Sequence, residues 1–294
     1  MNERMRYNMS HSSKNITVLL QLVRLRLSLL VTFSAITGYL FTGEAEVSSL
    51  LVLASGVFLL AAGSSALNQY QERHLDGRME RTRLRPIPSG LVLPLEALFI
   101  ATSIIIAGSL VLWQLQAATM VLGLFNILLY NGLYTPLKTK TPLSILPGAL
   151  VGAIPPLMGW SVSGGSLVHP HILFLASFMF LWQVPHFWLL MIMYGKDYEK
   201  AGFSTISKHF KPASLKIIVF AWATTTSVFL LSFPLFGLVI PLALVMFLFA
   251  LNLFFIIIFY RFLFGRPENI LSAFITINSF MAIVLILFVM IGSL

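Results

Sequence analysis

Cysteine is absent from the 294 residues, and charge is scarce: Asp, Glu, Lys and Arg make up 10% of the chain, and only Asp76 and Asp197 are aspartates. Without cysteine there is no disulfide scaffold, and the redox compartment stays open. So little charge excludes a disordered chain, and the lack of any sustained heptad excludes a coiled coil. What fills the chain instead is apolar, 58% of residues with a mean hydropathy of +0.91. Soluble domains sit near half apolar and a quarter charged, so this composition is that of an integral membrane protein.

A helix crossing about 30 Å of hydrocarbon needs about 20 residues. On that ruler nine spans fit, over 22–41, 48–67, 93–113, 117–135, 144–163, 170–194, 214–233, 236–260 and 269–292. The runs are continuously apolar rather than alternating, which favours helices over barrel strands. Residues 1–21 read as a polar cytoplasmic tail with no cleavable signal, and 22–292 as a single polytopic domain.

A pI near 10 would point to nucleic acid in a soluble protein. Here topology explains it, because short cytoplasmic loops retain Lys and Arg. All nineteen Lys and Arg residues fall on one side of the nine-span map, whereas the opposite loops carry only Glu44 and Glu46 as formal charges. The N-terminus is expected inside and the C-terminus outside. No arginine-rich, acid-free leader precedes the first span, which favours a bacterial inner membrane over a mitochondrial one.

Both aspartates follow spans that end inside, the second and the sixth. If span 2 stays helical, Asn68, Glu72 and Asp76 lie at i, i+4 and i+8, within an arc of roughly 80° and about 12 Å of axis. One face then presents an amide and two carboxylates, hard oxygen donors that suit Mg²⁺ bridging to a substrate phosphate. Arg78, Arg81 and Arg85 follow with planar forks for phosphate oxygens. The same residues also fit a solvated loop whose arginines serve topology and anionic lipid. The small-residue run Ala61–Ala66 just before Asn68 leaves room for a bulky group, and polar groups at a membrane boundary are functional candidates.

Asp197 could give a metal another oxygen or merely pair with Lys196 or Lys200. Lys138, after span 4, is a point charge suited to phosphate or a topology marker. His186 lies about 15 Å below the boundary at 1.5 Å per residue. It could ligate a metal or haem iron, bind a carboxylate, or satisfy a carbonyl freed near Pro185. Pro155-Pro156 should kink or break span 5.

These residues carry a resemblance. Asn68-x3-Glu72-x3-Asp76, followed by Arg81-Thr82-x-x-Arg85-Pro86-x-Pro88-Ser89-Gly90, resembles the first signature of the UbiA superfamily of intramembrane prenyltransferases. Tyr134-Thr135 with Lys138, Gly152-Ala153-x-Pro155-Pro156 with Gly159-Trp160, and Pro185-His186-Phe187-Trp188 with Asp197-Tyr198 agree in order. The likeness runs from about residue 24 to 292. Arg-Thr-x-x-Arg-Pro and Pro-His-Phe-Trp are specific to the haem-prenylating branch. Glu72 stands where that family usually has aspartate, Leu25 where it has proline, and Thr139 where it has arginine.

The resemblance implies an all-α membrane protein, nine transmembrane helices around a central cavity with its polar mouth at the cytoplasmic face. It implies transfer of a farnesyl group from farnesyl diphosphate to a vinyl group of haem B, giving haem O and diphosphate, with Mg²⁺ as cofactor. Asn68, Glu72, Asp76 and Asp197 are the expected Mg²⁺ and diphosphate residues. Arg78, Arg81, Arg85 and Lys138 would meet diphosphate or, for some, haem propionates, and His186 would orient or ligate haem. Membrane lipid surrounds the protein, no nucleic acid is expected, and a downstream haem A synthase is a candidate partner. Two rivals share part of the pattern: a UbiA-type enzyme acting on an aromatic acid or quinone precursor, and a secondary transporter, although transporters place charged groups near the midplane.

Overall fold

Backbone amides in lipid must find partners within their own segment, which leaves long apolar runs little choice but the helix. In the computed structural model, residues 16–43, 45–206 and 210–293 are described, and none of these is in a β-strand. Part of the expected tail, with Arg4, Arg6 and Lys14, and also Glu44 and Lys208, lies outside the described residues. The helices are α1 (Ile16–Leu22), α2 (Leu25–Leu40), α3 (Val47–Asp76), α4 (Pro94–Trp113), α5 (Ala117–Leu137), α6 (Pro142–Val162), α7 (Pro170–Ala201), α8 (Pro212–Leu230), α9 (Leu242–Phe264) and α10 (Ile270–Gly292). Among the described residues eight helices, α3 to α10, are long and apolar enough to cross a membrane, and α1 with α2, bent by 54°, pass the same test only as a pair, which makes up to nine if the pair is one span. Ile16–Leu22 is thus helical where a polar tail was expected to continue to residue 21.

Two helices overshoot the bilayer. With 30 and 32 residues, α3 and α7 extend for about 45 Å and 48 Å at 1.5 Å per residue, against about 30 Å of hydrocarbon. The overshoot carries Asn68, Glu72 and Asp76 on α3, and Asp197 on α7, beyond the apolar runs while keeping them on rigid helix.

Lipid gives helices no hydrophobic reason to associate, so they pack where small residues let backbones approach. The crossing of α2 and α6 depends on two glycines. A Cβ on Gly38 would lie 2.0 Å from the Pro156 carbonyl oxygen, and one on Gly159 would lie 1.9 Å from that of Ala35. Among the described residues, α2, α3, α5, α6 and α7 surround a cavity, and α10 closes the ring by packing on α7 and α2. The α7–α10 half is filled by aromatics, including stacked Phe255 and Phe280 with centroids 4.3 Å apart.

Pro155 and Pro156 do not break their helix: Ile145–Val162 is continuous. Of the expected kink or break, the break does not occur, and Gly38 seats α2 directly on the Pro156 carbonyl. Each proline still lacks an N–H, so the carbonyls of Val151 and Gly152, four residues earlier, lose their usual partner. Both residues line the cavity.

Candidate active site

The three predicted oxygen donors of α3 share one face, and each meets a different neighbour. Asn68, fully buried, donates from Nδ2 to Thr135 Oγ1 at 3.0 Å, while its Oδ1 has no partner. One turn on, Glu72 accepts from Lys138 Nζ at 2.7 Å. At the helix end, both carboxylate oxygens of Asp76 lie 2.7 Å from Arg85 Nη1. Arg85 can reach back because the chain turns sharply after Asp76, a turn held by Thr82 Oγ1 donating to the Asp76 carbonyl at 2.9 Å.

The partners on α5 are set by a local change of helix. Residues Leu128–Tyr134 form a π-helical segment, a widening common at functional sites. It aligns Asn131, Thr135 and Lys138 along α3. Asn131 Nδ2 donates to the Ser64 carbonyl at 3.1 Å and to Gln71 Oε1 at 3.0 Å, and Ser64 Oγ donates to Asn131 Oδ1 at 2.6 Å. A continuous polar seam therefore joins α3 to α5 up to Lys138, whose ammonium also lies 4.5 Å from the centre of the Tyr134 ring.

Electrostatics at this mouth are closely balanced. Burial pulls the Lys138 ammonium down, but Glu72 at hydrogen-bond distance outweighs it, and Lys138 is held above the usual lysine range. Arg85 is pushed below the usual arginine value by burial and by the positive charge of Arg24, against the pull of Asp76. Arg24, like Arg81, forms no salt bridge with a carboxylate among the described residues, whereas Lys138 and Arg85 do. It links α1 to α2 in a left-handed conformation, φ 48°, the single non-glycine residue with positive φ among the described residues. Its Nη1 donates to Tyr130 Oη at 3.4 Å, its Nε is buried without a partner, and it lines the cavity.

Asp197 is held differently from the α3 donors. Its oxygens accept from the backbone amides of Glu80 at 3.0 Å and Arg81 at 3.4 Å, so it ties the end of α7 to the turn after Asp76. Arg81 Nη2 donates to Tyr198 Oη at 3.1 Å, and its guanidinium lies 5.0 Å from the centre of the Tyr194 ring. The Ser204 amide donates to the Lys138 carbonyl at 2.8 Å. The inner ends of α3, α5 and α7 thus meet at one face.

These groups open into a cavity of about 410 Å³, within the range of small-molecule sites. Glu72, Asp76, Arg24, Arg81, Arg85 and Lys138 line its polar end, and Val57, Leu60, Met158 and Leu190 line its apolar interior. His186 and Gln183 border it from α7. Of the sequence-predicted residues, Asn68 sits just behind this lining, Asp197 braces the turn, and Arg78 lies exposed outside the cavity. No cluster of three or more His, Cys, Asp or Glu residues placed to hold a metal occurs among the described residues.

Sequence reasoning counted Arg24 only toward topology and passed over Asn131, Gln183 and Asn278. Each had a signal: a charge or a lone amide inside an apolar run is costly in lipid unless something meets it.

Comparisons with known proteins agree with this geometry. The sequence profile of the UbiA prenyltransferase family matches residues 29–286. A Geobacter sulfurreducens protein named protoheme IX farnesyltransferase is 40% identical over 222 residues, covering 76% of this chain and 82% of that one. A protein of the same name from Christiangramia forsetii is 36% identical, over 74% of this chain and 72% of that one. Among solved structures, digeranylgeranylglyceryl phosphate synthase superposes with a TM-score of 0.76 at 17% identity, over 95% of this chain and 99% of that one. A UbiA homolog from Archaeoglobus fulgidus bound to GPP and Mg²⁺ superposes with a TM-score of 0.71 at 16% identity, over 94% and 98%.

Proposed function

The chain belongs to the UbiA prenyltransferase family, and from that premise we propose that it transfers the farnesyl group of farnesyl diphosphate to a vinyl group of haem B, forming haem O and diphosphate. Curated relatives 34–42% identical are named for this activity. The observation that carries the reading is one cavity with two chemistries: paired carboxylates and cations at its mouth, and apolar walls reaching back to His186.

The reaction needs both. The allylic C–O bond breaks and the electron pair leaves with the diphosphate, whose charge must be neutralised by preorganised donors. Lys138 and Arg85, each hydrogen-bonded to a carboxylate, are placed to exchange that partner for a diphosphate oxygen, and Arg24 already lacks one. The farnesyl cation must be kept from water until its C1 bonds to the terminal vinyl carbon. Walls such as Leu60, Met158 and Leu190 exclude it. The electron-deficient carbon left beside the porphyrin ring then takes the oxygen of a water molecule, which loses a proton and remains as the hydroxyl of haem O.

Asn68, Glu72 and Asp76 would hold Mg²⁺ with diphosphate. All three offer hard oxygens on one helix face, and the orphaned, buried Oδ1 of Asn68 fits a cation's need for one more donor. Bound there, Mg²⁺ would supply Lewis-acid neutralisation of the leaving group. Asp197 contributes by bracing the turn that carries Arg81 and Arg85, and His186 is assigned to haem. The one-sided distribution of Lys and Arg supports a cytoplasmic mouth, an N-terminus inside and a C-terminus outside, and a bacterial inner membrane is the setting proposed with them. A haem A synthase consuming haem O fits as a downstream partner.

The test is direct. Purified protein supplied with Mg²⁺ and farnesyl diphosphate should convert haem B to a product heavier by one farnesyl group and one hydroxyl group, and should leave 4-hydroxybenzoate unchanged. Prenylation of 4-hydroxybenzoate alone would assign the chain to the aromatic-acid branch.

A further inference from the structure

Two amides stand on the cavity wall with no neighbour to bind. His186 Nδ1 lies 3.0 Å from Asn278 Oδ1, and Asn131 donates to Ser64 and Gln71. Asn126 of α5 and Gln183 of α7 also line the cavity, but their side-chain oxygens are buried without a partner, and neither amide nitrogen donates to a described residue.

Both amides lie beneath the polar mouth. Gly148 and Gly152, about one turn apart on α6, seat successive layers of α7. A Cβ on Gly148 would lie 2.8 Å from the Tyr134 ring and 3.2 Å from that of Phe187, and one on Gly152 would lie 1.5 Å from Gln183 Oε1. Lys138 Nζ is 4.5 Å from the centre of the Tyr134 ring. Gln183 is therefore about one turn, roughly 5 Å, deeper than the aromatic layer under that ammonium. Asn126 reaches the same region from α5, about two turns before Tyr134. The α6 helix adds two acceptors there, because Pro155 and Pro156 bring no N–H to the carbonyls of Val151 and Gly152. Helix carbonyls point toward the C-terminus, which in α6 is away from the mouth.

An acceptor left bare at this depth costs about 1–3 kcal/mol, so four of them call for a guest that brings hydrogens. The farnesyl tail and the porphyrin face bring none. Water brings two, and a buried water takes about two to four polar partners.

We infer that Asn126, Gln183 and the carbonyls of Val151 and Gly152 hold the single water molecule whose oxygen becomes the hydroxyl of the product. The inference rests on haem B being the prenyl acceptor. Once farnesyl C1 has bonded to the terminal vinyl carbon, the inner vinyl carbon beside the porphyrin lacks an electron pair. A water with both hydrogens held by amide and carbonyl oxygens keeps a lone pair free for that carbon. The pair forms the C–O bond, and one O–H proton passes to the released diphosphate. Such a layer meets two opposed demands: the farnesyl cation must not meet water, yet its successor must. Holding one water below the aromatic layer keeps it from C1 at the mouth.

With that water misplaced, the second cation has another exit. The former terminal vinyl carbon loses a proton to diphosphate, and the C–H electron pair becomes the second bond of an alkene. This product is lighter than haem O by one water.

The experiment gives full-length protein in nanodiscs haem B, farnesyl diphosphate and Mg²⁺, then separates the two prenylated haems and identifies them by mass. Their ratio is read within each reaction, so it is independent of the amount of folded protein, and a merely structural defect lowers both products together. Wild type should give the alcohol. Gln183→Met, close in volume but without the amide, should raise the alkene share about tenfold, the effect of losing one hydrogen bond to the reacting water. Asn126→Leu, on another helix, should do the same and carries the test if Gln183→Met does not fold. A wild-type ratio in these variants overturns the inference. So does farnesol rising at an unchanged ratio, which would show that the amides exclude water rather than hold it. Neither result touches the activity itself, which fails only if wild type forms no haem O.

Discussion

Lys138, just past the end of α5, donates to the Glu72 carboxylate of α3 at 2.7 Å, and the two side chains are only 18% and 6% exposed. Removing one member of such a buried pair strands the other, at a cost of about 3 kcal/mol or more. Lys138→Met should therefore lower both thermal stability in detergent and activity. Adding Glu72→Gln should restore much of the stability, because no charge is then left unpaired, but none of the turnover. Parallel melting curves and haem O assays of the single and double variants check this. Recovery of activity in the double variant would remove both residues from the chemistry.

Asp76 tests the leaving-group site at its other end. Asp76→Asn keeps the shape and one of the two Arg85 contacts but loses the charge, so the protein should insert and fold with a lowered melting temperature while haem O formation falls at least 100-fold, the scale of losing one preorganised electrostatic group. Chelation of divalent cations should stop wild-type turnover, and added Mg²⁺ should restore it. Full activity of Asp76→Asn, or indifference to a chelator, would contradict the assignment.

Much of this was legible in the sequence, for reasons that lie in the solvent. Lipid tolerates only internally bonded backbone, so each apolar run announced a helix, and the i, i+4, i+8 spacing of Asn68, Glu72 and Asp76 placed them on one face. Their partners were not legible. Lys138 lies 66 residues from Glu72 and Asn278 lies 92 from His186, and no periodicity connects positions on different helices. Asp197 was visible as a charge, but its contacts to the Glu80 and Arg81 amides depend on a turn that the sequence does not spell out. Pro155 and Pro156 were expected to kink or break their helix, and the contact that Gly38 makes with the Pro156 carbonyl comes from another helix, α2, which no local pattern shows.

Gly152 separates stability from function. A Cβ there would lie 1.5 Å from Gln183 Oε1, and the flexible glutamine would have to swing away. Alanine is also the better helix former by about 1 kcal/mol. Gly152→Ala should thus leave the melting temperature unchanged or slightly raised while increasing the KM for haem several-fold, because the displaced amide intrudes on the cavity. A normal KM would show that the Gln183 wall has no part in binding.

Arg24 combines two costs that only a ligand would justify: a left-handed backbone at the α1–α2 bend and a buried Nε with no partner. Substitution can separate them. Arg24→Gly and Arg24→Ala both remove the cation, so both should raise the KM for farnesyl diphosphate by about tenfold, the loss of one charge-assisted hydrogen bond of about 1.5 kcal/mol. They should differ in stability. Glycine adopts φ 48° freely whereas alanine pays about 1 kcal/mol to do so, so the glycine variant should melt higher. Steady-state kinetics with each substrate varied in turn, alongside melting curves, reads both effects. A rise confined to the KM for haem would reassign Arg24 from diphosphate to a propionate, and equal melting temperatures would show that the bend carries no strain.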